Sequence, residues 1–219
     1  MKLWPWQKKS DKPENHATSL PADKDVRGAV EGFRRFRQQF AADKAFYEKL
    51  AEHQQPNLLW IGCSDSRVVP DIITSSDPGK LFVVRNIANI VPPSGAADAS
   101  VGAAIEYAVL HLGIDDIVVC GHTGCGGVKA MKDGLPGEEA HLHRWVRYGD
   151  IMSAGTVEDA VKSNILAQRN NLMSYDFVRE RVEDGRLAIH AWLYDMGEGD
   201  LLAHDDETRH WRTLGDADG

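Results

Sequence analysis

Three short apolar runs, Leu58 to Ile61, Leu81 to Val84 and Ile117 to Cys120, constrain this chain more than any other feature. Each is too short to be a helix and reads as a buried strand; Pro56 and Gly62 bound the first. Between the second and third runs, Val101, Ala104, Ile105, Ala108, Val109 and Leu112 recur at helical spacing, with Asp98 and Ser100 placed to cap the start. Strand, helix and strand in that order form a parallel βαβ unit. Leu187 to Tyr194 resembles a fourth strand, and Gly197 and Gly199 turn the chain toward Leu201 and Leu202, a short strand suited to antiparallel pairing at the sheet edge. The expected fold is α/β, a mostly parallel central sheet flanked by helices. Weaker helical patterns follow the third strand at Leu142 to Val146, Val157 to Leu172 and Phe177 to Val182.

Upstream of the first strand, Val26, Val30, Phe33, Phe36, Phe40, Phe46 and Leu50 fall near helical spacing and predict one or two amphipathic helices. Residues 1–24 are polar and read as a flexible arm without the apolar core of a secretory signal; Trp4 and Trp6 are expected to dock on a protein surface. The division that follows is an arm at 1–24, a single domain at 25–205 and a carboxy-terminal tail at 206–219. No stretch is apolar and long enough to span a bilayer. Asp and Glu number 33 against 25 Lys and Arg, a formal charge of -8, which argues against nucleic acid and for a small or neutral substrate. Three cysteines are too few for a disulfide framework, so a reducing compartment, the cytoplasm, is expected.

Cys63 follows the first strand, and His122 and Cys125 follow the third. In open parallel sheets ligands bind outside the carboxyl ends of the strands, where strand order reverses, so the three side chains can meet. Two thiolates and an imidazole make a zinc site with one position left for water or substrate, a catalytic arrangement. Cys125 also opens the helix after the third strand, where the helix dipole and a metal both favour its thiolate. Asp65 and Arg67 stand two and four residues after Cys63, and a guanidinium can hold a carboxylate in a forked hydrogen bond. Two states follow: Asp65 turns to the metal as a fourth ligand and closes the site, or Arg67 restrains it and the position stays open. Cys120 could instead complete a closed, inert site, although its place within Ile117 to Cys120 favours a buried strand side chain.

The segments Cys63-Ser64-Asp65-Ser66-Arg67, Val84-Arg85-Asn86-Ile87-Ala88-Asn89, Gly102 to Val109 and Gly121-His122-Thr123-Gly124-Cys125-Gly126-Gly127 resemble the β-class carbonic anhydrases, over a match from about Phe33 to Leu202. The resemblance implies Zn2+ as cofactor and reversible hydration of carbon dioxide to bicarbonate and a proton by a zinc-bound hydroxide, with Cys63, His122 and Cys125 as ligands and Asp65 and Arg67 as catalytic residues. It also implies amino-terminal helices that wrap a partner subunit, hence a homodimer or a larger assembly of dimers. Gln54, Phe82, Tyr107 and the Gly126 backbone match positions lining the carbon dioxide pocket in plant-like members, where some come from the neighbouring subunit. Trp60, Arg85 and Tyr194 match a triad that holds a non-catalytic bicarbonate in certain bacterial members.

Two other functions compete. Some relatives of the fold hydrolyse carbonyl sulfide or carbon disulfide, and a noncatalytic zinc-stabilised assembly subunit is a third reading, which an open metal position and the Asp65–Arg67 pair oppose. Two thiolates put more negative charge on a metal than imidazoles do, so water there should be less acidic and activity should favour alkaline solution.

Overall fold

The structure, a computed structural model, describes residues 22–135, 137, 140–151 and 155–215. Of the arm read at 1–24, residues 1–21, including Trp4 and Trp6, lie outside these, as do 216–219 of the tail, while residues 22–24 open a helix instead. The chain divides into two compact units, Met1–Gln54 and Gln55–Gly219.

In the first unit the phenylalanine pattern folds as two helices, α1 (Ala22–Ala42) and α2 (Lys44–Glu52). Rings at helical spacing on α1 meet Tyr47 of α2: Phe40 stacks on it at 4.8 Å and Phe36 meets it edge-on at 5.4 Å. Val26, Val30, Phe33, Phe36 and Phe40 nevertheless remain exposed, with Phe33 at 58%.

The second unit carries a six-stranded sheet in the order β2-β1-β3-β4-β5-β6. Its strands are β1 (Leu58–Cys63), β2 (Leu81–Asn86), β3 (Asp116–His122), β4 (Ala188–Tyr194), β5 (Leu201–His204) and β6 (Trp211–Thr213). The first four are parallel and the last two antiparallel. Helix α3 (Pro70–Ile73) crosses from β1 to β2. The stripe from Val101 to Leu112 becomes α4 (Ser100–Glu106), which continues as one π-helical turn, Tyr107–Leu112, and ends on Gly113 in a left-handed conformation. Helices α5 (Gly126–Asp133), α6 (Ala140–Val146), α7 (Val157–Leu172) and α8 (Asp176–Glu183) separate β3 from β4. A capping box starts α7: Thr156 Oγ1 accepts from the Asp159 amide at 3.0 Å, and Asp159 Oδ2 accepts from the Thr156 amide at 2.9 Å.

Strand alternation divides the core. Leu59, Ile61, Ile117, Val119 and Leu193 point to the helix-covered face and join Ile105, Val161 and Ile165 in the main core. Each such fully buried side chain contributes about 1.5–3 kcal/mol. Trp60, Val118 and Cys120 point to the other face and form a small second cluster bordered by Trp192 and Tyr194.

Within the stretch read as 25–205, the helical residues before Gln55 group as a compact unit. Beyond 205 the chain adds β6, which pairs with β5 through His204↔Trp211 and Leu202↔Thr213, so the expected tail supplies the sheet's edge strand. Arg169 of α7 grips Asp206 with two hydrogen bonds of 2.6 and 2.9 Å, tying this hairpin to the body.

Candidate metal centre

The chain leaves β1 toward β2 on one side of the sheet and returns past β1 to β3 on the other, so strand order reverses between β1 and β3. These neighbours end on Cys63 and His122. A turn through Gly124, whose φ of 67° suits glycine, brings Cys125 back as the N-cap of α5. The Cys63 and Cys125 sulfurs lie 3.9 Å apart, and with the His122 ring nitrogen all three donor atoms lie within 4.8 Å of one another. All three residues are buried. This group is able to hold a metal ion. Cys120 stands apart from it, in the second core cluster, with its S–H directed to the Gly121 carbonyl at 3.3 Å.

The His122 ring is oriented by its own loop. Nδ1 lies 3.0 Å from the Thr123 carbonyl oxygen, and since a carbonyl can only accept, Nδ1 carries the hydrogen and Nε2 carries the lone pair. Nε2 is buried and has no hydrogen-bond partner. An acceptor sealed from water beside two thiols is costly unless a cation or a proton sits against it. The Cys125 sulfur, 3.9 Å away, chiefly holds the Cys63 thiol down at about 4 against the opposing effect of burial. The same pairing, together with burial, pushes Cys125 up, despite the Gly127 and Val128 amides directed at its sulfur. One thiolate beside it thus outweighs the start of a helix and favours a proton on Cys125. A divalent cation would displace that proton.

Asp65 sits in the fork of Arg67: Arg67 Nε and its backbone amide donate to Oδ1 at 2.9 and 3.0 Å, and Nη2 donates to Oδ2 at 2.6 Å. These bonds hold the Asp65 carboxyl well below the usual carboxylate range. Oδ2 also lies 3.9 Å from His122 Nε2. The structure thus shows the restrained arrangement of Asp65. Arg85 braces the same loop, donating from Nε to the Cys63 carbonyl at 2.9 Å and from Nη2 to the Asp65 carbonyl at 2.6 Å.

The remaining sequence-selected residues scatter. Gly126 follows Cys125 as the first residue of α5. Phe82 and Tyr107 lie against each other, ring centroids 5.9 Å apart, with Tyr107 44% exposed and stacked on His111 at 5.4 Å. Phe82 pairs with Leu59, four residues before the Cys63↔Asn86 pair, which puts it about 13 Å down the strands from the metal-ligand end. Gln54 belongs to the helical unit. Trp60, Arg85 and Tyr194 share one face of the sheet by register, and the buried Trp60 Nε1 has no partner.

Sequence reasoning missed the neighbours that shape the site. A cavity of about 750 Å³ reaches the loop after Cys63 at Ser64 and is lined, besides the motif residues Arg85, Asn86 and Ile87, by Trp145 and Tyr148 from beyond α5. Thr123, between His122 and Cys125, latches to the β4–β5 turn: its Oγ1 accepts from the Met196 amide at 3.0 Å, and its amide donates to the Tyr194 carbonyl at 3.0 Å. The pairing partners lie 71 or more residues away in the chain, so no local pattern reveals them.

Comparison with known proteins bears on this geometry. Residues 58–201 match the family model described as carbonic anhydrase. A carbonic anhydrase of Pseudomonas aeruginosa is 39% identical over 202 residues, covering 86% of this chain and 92% of that protein. One from Synechocystis sp. is 39% identical over 191 residues, covering 80% of this chain and 70% of that protein. Among solved structures, the β-carbonic anhydrase CcaA superposes with a TM-score of 0.81 at 36% identity, covering 86% of this chain and 99% of that one. A tetrameric β-carbonic anhydrase from Sordaria macrospora gives 0.70 at 32% identity, covering 87% and 97%. With the family model spanning the sheet from β1 to β5 and the ligand cluster seated at its switch point, this chain belongs to the β-class carbonic anhydrase family of enzymes.

Proposed function

We propose that this protein binds zinc through Cys63, His122 and Cys125 and catalyses the reversible hydration of carbon dioxide to bicarbonate and a proton. The observation that carries the reading is the donor set itself. A tetrahedral ion with Zn–S bonds of about 2.3 Å sets its sulfurs about 3.8 Å apart, and the two sulfurs here are 3.9 Å apart. The buried Nε2 of His122, lacking any partner, supplies the third donor. Two sulfurs and an imidazole suit zinc among the common divalent ions. When bound, zinc would act as a Lewis acid that makes water acidic enough to serve as a nucleophile near neutrality, a behaviour best known from carbonic anhydrases with three histidine ligands.

The chain's own residues do the rest. Arg67 holds Asp65 in a fork that keeps one ligand position free, and Asp65 Oδ2, 3.9 Å from His122 Nε2, is placed to accept a hydrogen bond there and fix the orientation of the molecule that donates it. The Gly126 backbone, adjacent to Cys125, forms the near wall of the substrate site. Phe82 and Tyr107 stand at the far end of the strands, so they serve the site of a second copy in a homodimer or an assembly of dimers. The exposed apolar stripe of α1 suits such an interface. Three free cysteines are consistent with residence in a reducing cytoplasm, and no helix among the described residues is long and apolar enough to cross a membrane.

Stopped-flow measurement of carbon dioxide hydration tests this reading. Turnover by zinc-loaded protein that disappears on metal removal and returns with zinc is expected. Fully loaded protein that leaves carbon dioxide untouched and hydrolyses carbonyl sulfide would move the reading to the sulfur-containing analogues, and inactivity toward both would leave only the assembly role.

One observation favours a second ligand. The buried indole N–H of Trp60 lacks a partner on the face it shares with Arg85 and Tyr194, which supports a non-catalytic bicarbonate at that triad. Trp60→Phe, which removes the donor and keeps the packing, is expected to weaken bicarbonate inhibition; an unchanged inhibition curve would discard the site.

A further inference from the structure

Between β2 and α4 the chain makes a turn that is held both by a side chain of its own and by side chains from distant elements. Ala88 has φ 64° and ψ 29°, and Asn89 follows with φ 47°, two successive left-handed residues that are not glycine. Such residues cost free energy and persist only where surroundings over-determine them. Asn86 bridges the turn locally, its Oδ1 accepting from the Ile90 amide at 2.7 Å and its Nδ2 donating to the Ile90 carbonyl at 2.8 Å, and four further carbonyls are claimed by side chains from distant elements. Trp145 Nε1 donates to Ile87 O at 2.9 Å, Asn164 Nδ2 to Ala88 O at 3.0 Å, Asn171 Nδ2 to Val91 O at 2.9 Å and Tyr175 Oη to Pro92 O at 2.8 Å. The Val91 amide donates to Gln168 Oε1 at 2.8 Å, and Gln168 Nε2 donates to Asn164 Oδ1 at 3.0 Å. Asn164 and Gln168 are fully buried, one helical turn apart on α7.

The turn in its place presses on the metal loop. A Cβ added to Gly127 would stand 2.7 Å from Ile87 Cγ2 and 3.0 Å from Ala88 Cβ, so the turn and the first residues of α5 are in direct contact. Cys125 is the N-cap of that helix. At the other end of the turn, the Asn86 carbonyl accepts from the Ser64 amide at 2.8 Å, next to Cys63. The same segment therefore touches both cysteine-bearing loops.

We propose that Asn164 and Gln168 are positioning residues for the metal centre: by holding the 87–91 turn in its left-handed form against Gly127, they fix the spacing of the Cys63 and Cys125 loops. The proposal rests on the zinc reading above. Asn164→Ala frees the Ala88 carbonyl and lets the turn relax away from α5, and Gly127→Ala displaces the same contact from the opposite side. Tyr175→Phe removes one hydrogen bond of the same kind from the same segment, at Pro92, beyond the turn.

The test is the rate at which zinc-loaded full-length protein gives up its metal to a chromogenic chelator, recorded beside the thermal melt of each variant. Asn164→Ala and Gly127→Ala are each expected to speed release about 10-fold or more, the usual scale for losing an outer-shell support, while Tyr175→Phe lowers the melting temperature and leaves release near the wild-type rate. If Asn164→Ala does not fold, Gly127→Ala decides the matter alone. Release at the wild-type rate from folded Asn164→Ala or Gly127→Ala, or equal acceleration by Tyr175→Phe, overturns the proposal while the zinc reading stands. Wild-type protein that takes up no zinc overturns both.

Discussion

At the scale of single residues, Asp65 is the clearest case of one side chain serving two constraints. Its Oδ1 receives both the Arg67 backbone amide and Nε, and its Oδ2 receives Nη2 while facing His122. Asp65→Asn removes the charge and turns an amide donor toward a guanidinium, so kcat/KM for carbon dioxide hydration should fall about 10- to 100-fold with zinc content unchanged. The pH dependence follows from sign. The Asp65 carboxyl is depressed in the folded chain, chiefly by the Arg67 side chain, so its contribution to stability is complete above the unfolded-state pKa and is lost as pH falls through the folded one. In urea unfolding, the stability gap between wild type and Asp65→Asn should stay constant from about pH 8 to pH 5 and close only below about pH 4. A gap that closes near neutrality would mean that the fork is not formed in solution.

At the scale of elements, packing between β3 and α7 positions the His122 strand. A Cβ at Gly121, the residue before His122, would stand 2.6 and 2.7 Å from Ile165 Cγ1 and Cδ1. Gly121→Ala should therefore cost about 1–3 kcal/mol, read as a melting temperature lower by several degrees; an unchanged melt would show that α7 shifts freely. The strands were legible in the sequence because both-face burial leaves unbroken apolar runs, and Cys63 and His122 were legible because they end two of them. The 87–91 turn was not legible. Asn86 bridges the turn locally to Ile90, but the Ala88 carbonyl is held by Asn164, 76 residues on, which no local pattern announces. The π-helical turn at Tyr107 was hidden too, since a stripe of apolar residues reads alike whether four or five residues close each hydrogen bond. β6 escaped because three residues, Trp211 to Thr213, are too few for an alternation to show.

At the scale of the whole molecule, the sheet puts three side chains able to hold a metal at the carboxyl ends of β1 and β3, and Phe82 and Tyr107 toward the opposite end. Sequence matching named all five residues but could not say that they diverge within one chain, because only the register of β2 against β1 fixes their distance. If the aromatic pair serves a second copy, inactive Cys63→Ser and impaired Tyr107→Ala chains should complement each other when refolded together, recovering about a quarter of the wild-type sites under random pairing. No recovery would place the whole pocket within one chain. The claim on which all of this depends is that the fold supplies three donors to one ion and leaves a fourth position free. The zinc-edge X-ray absorption spectrum of loaded protein in mildly alkaline solution, with and without bromide, tests it most directly. Two sulfur neighbours and two light ones, one of which bromide replaces, are expected; a third sulfur, or a spectrum indifferent to bromide, would contradict it.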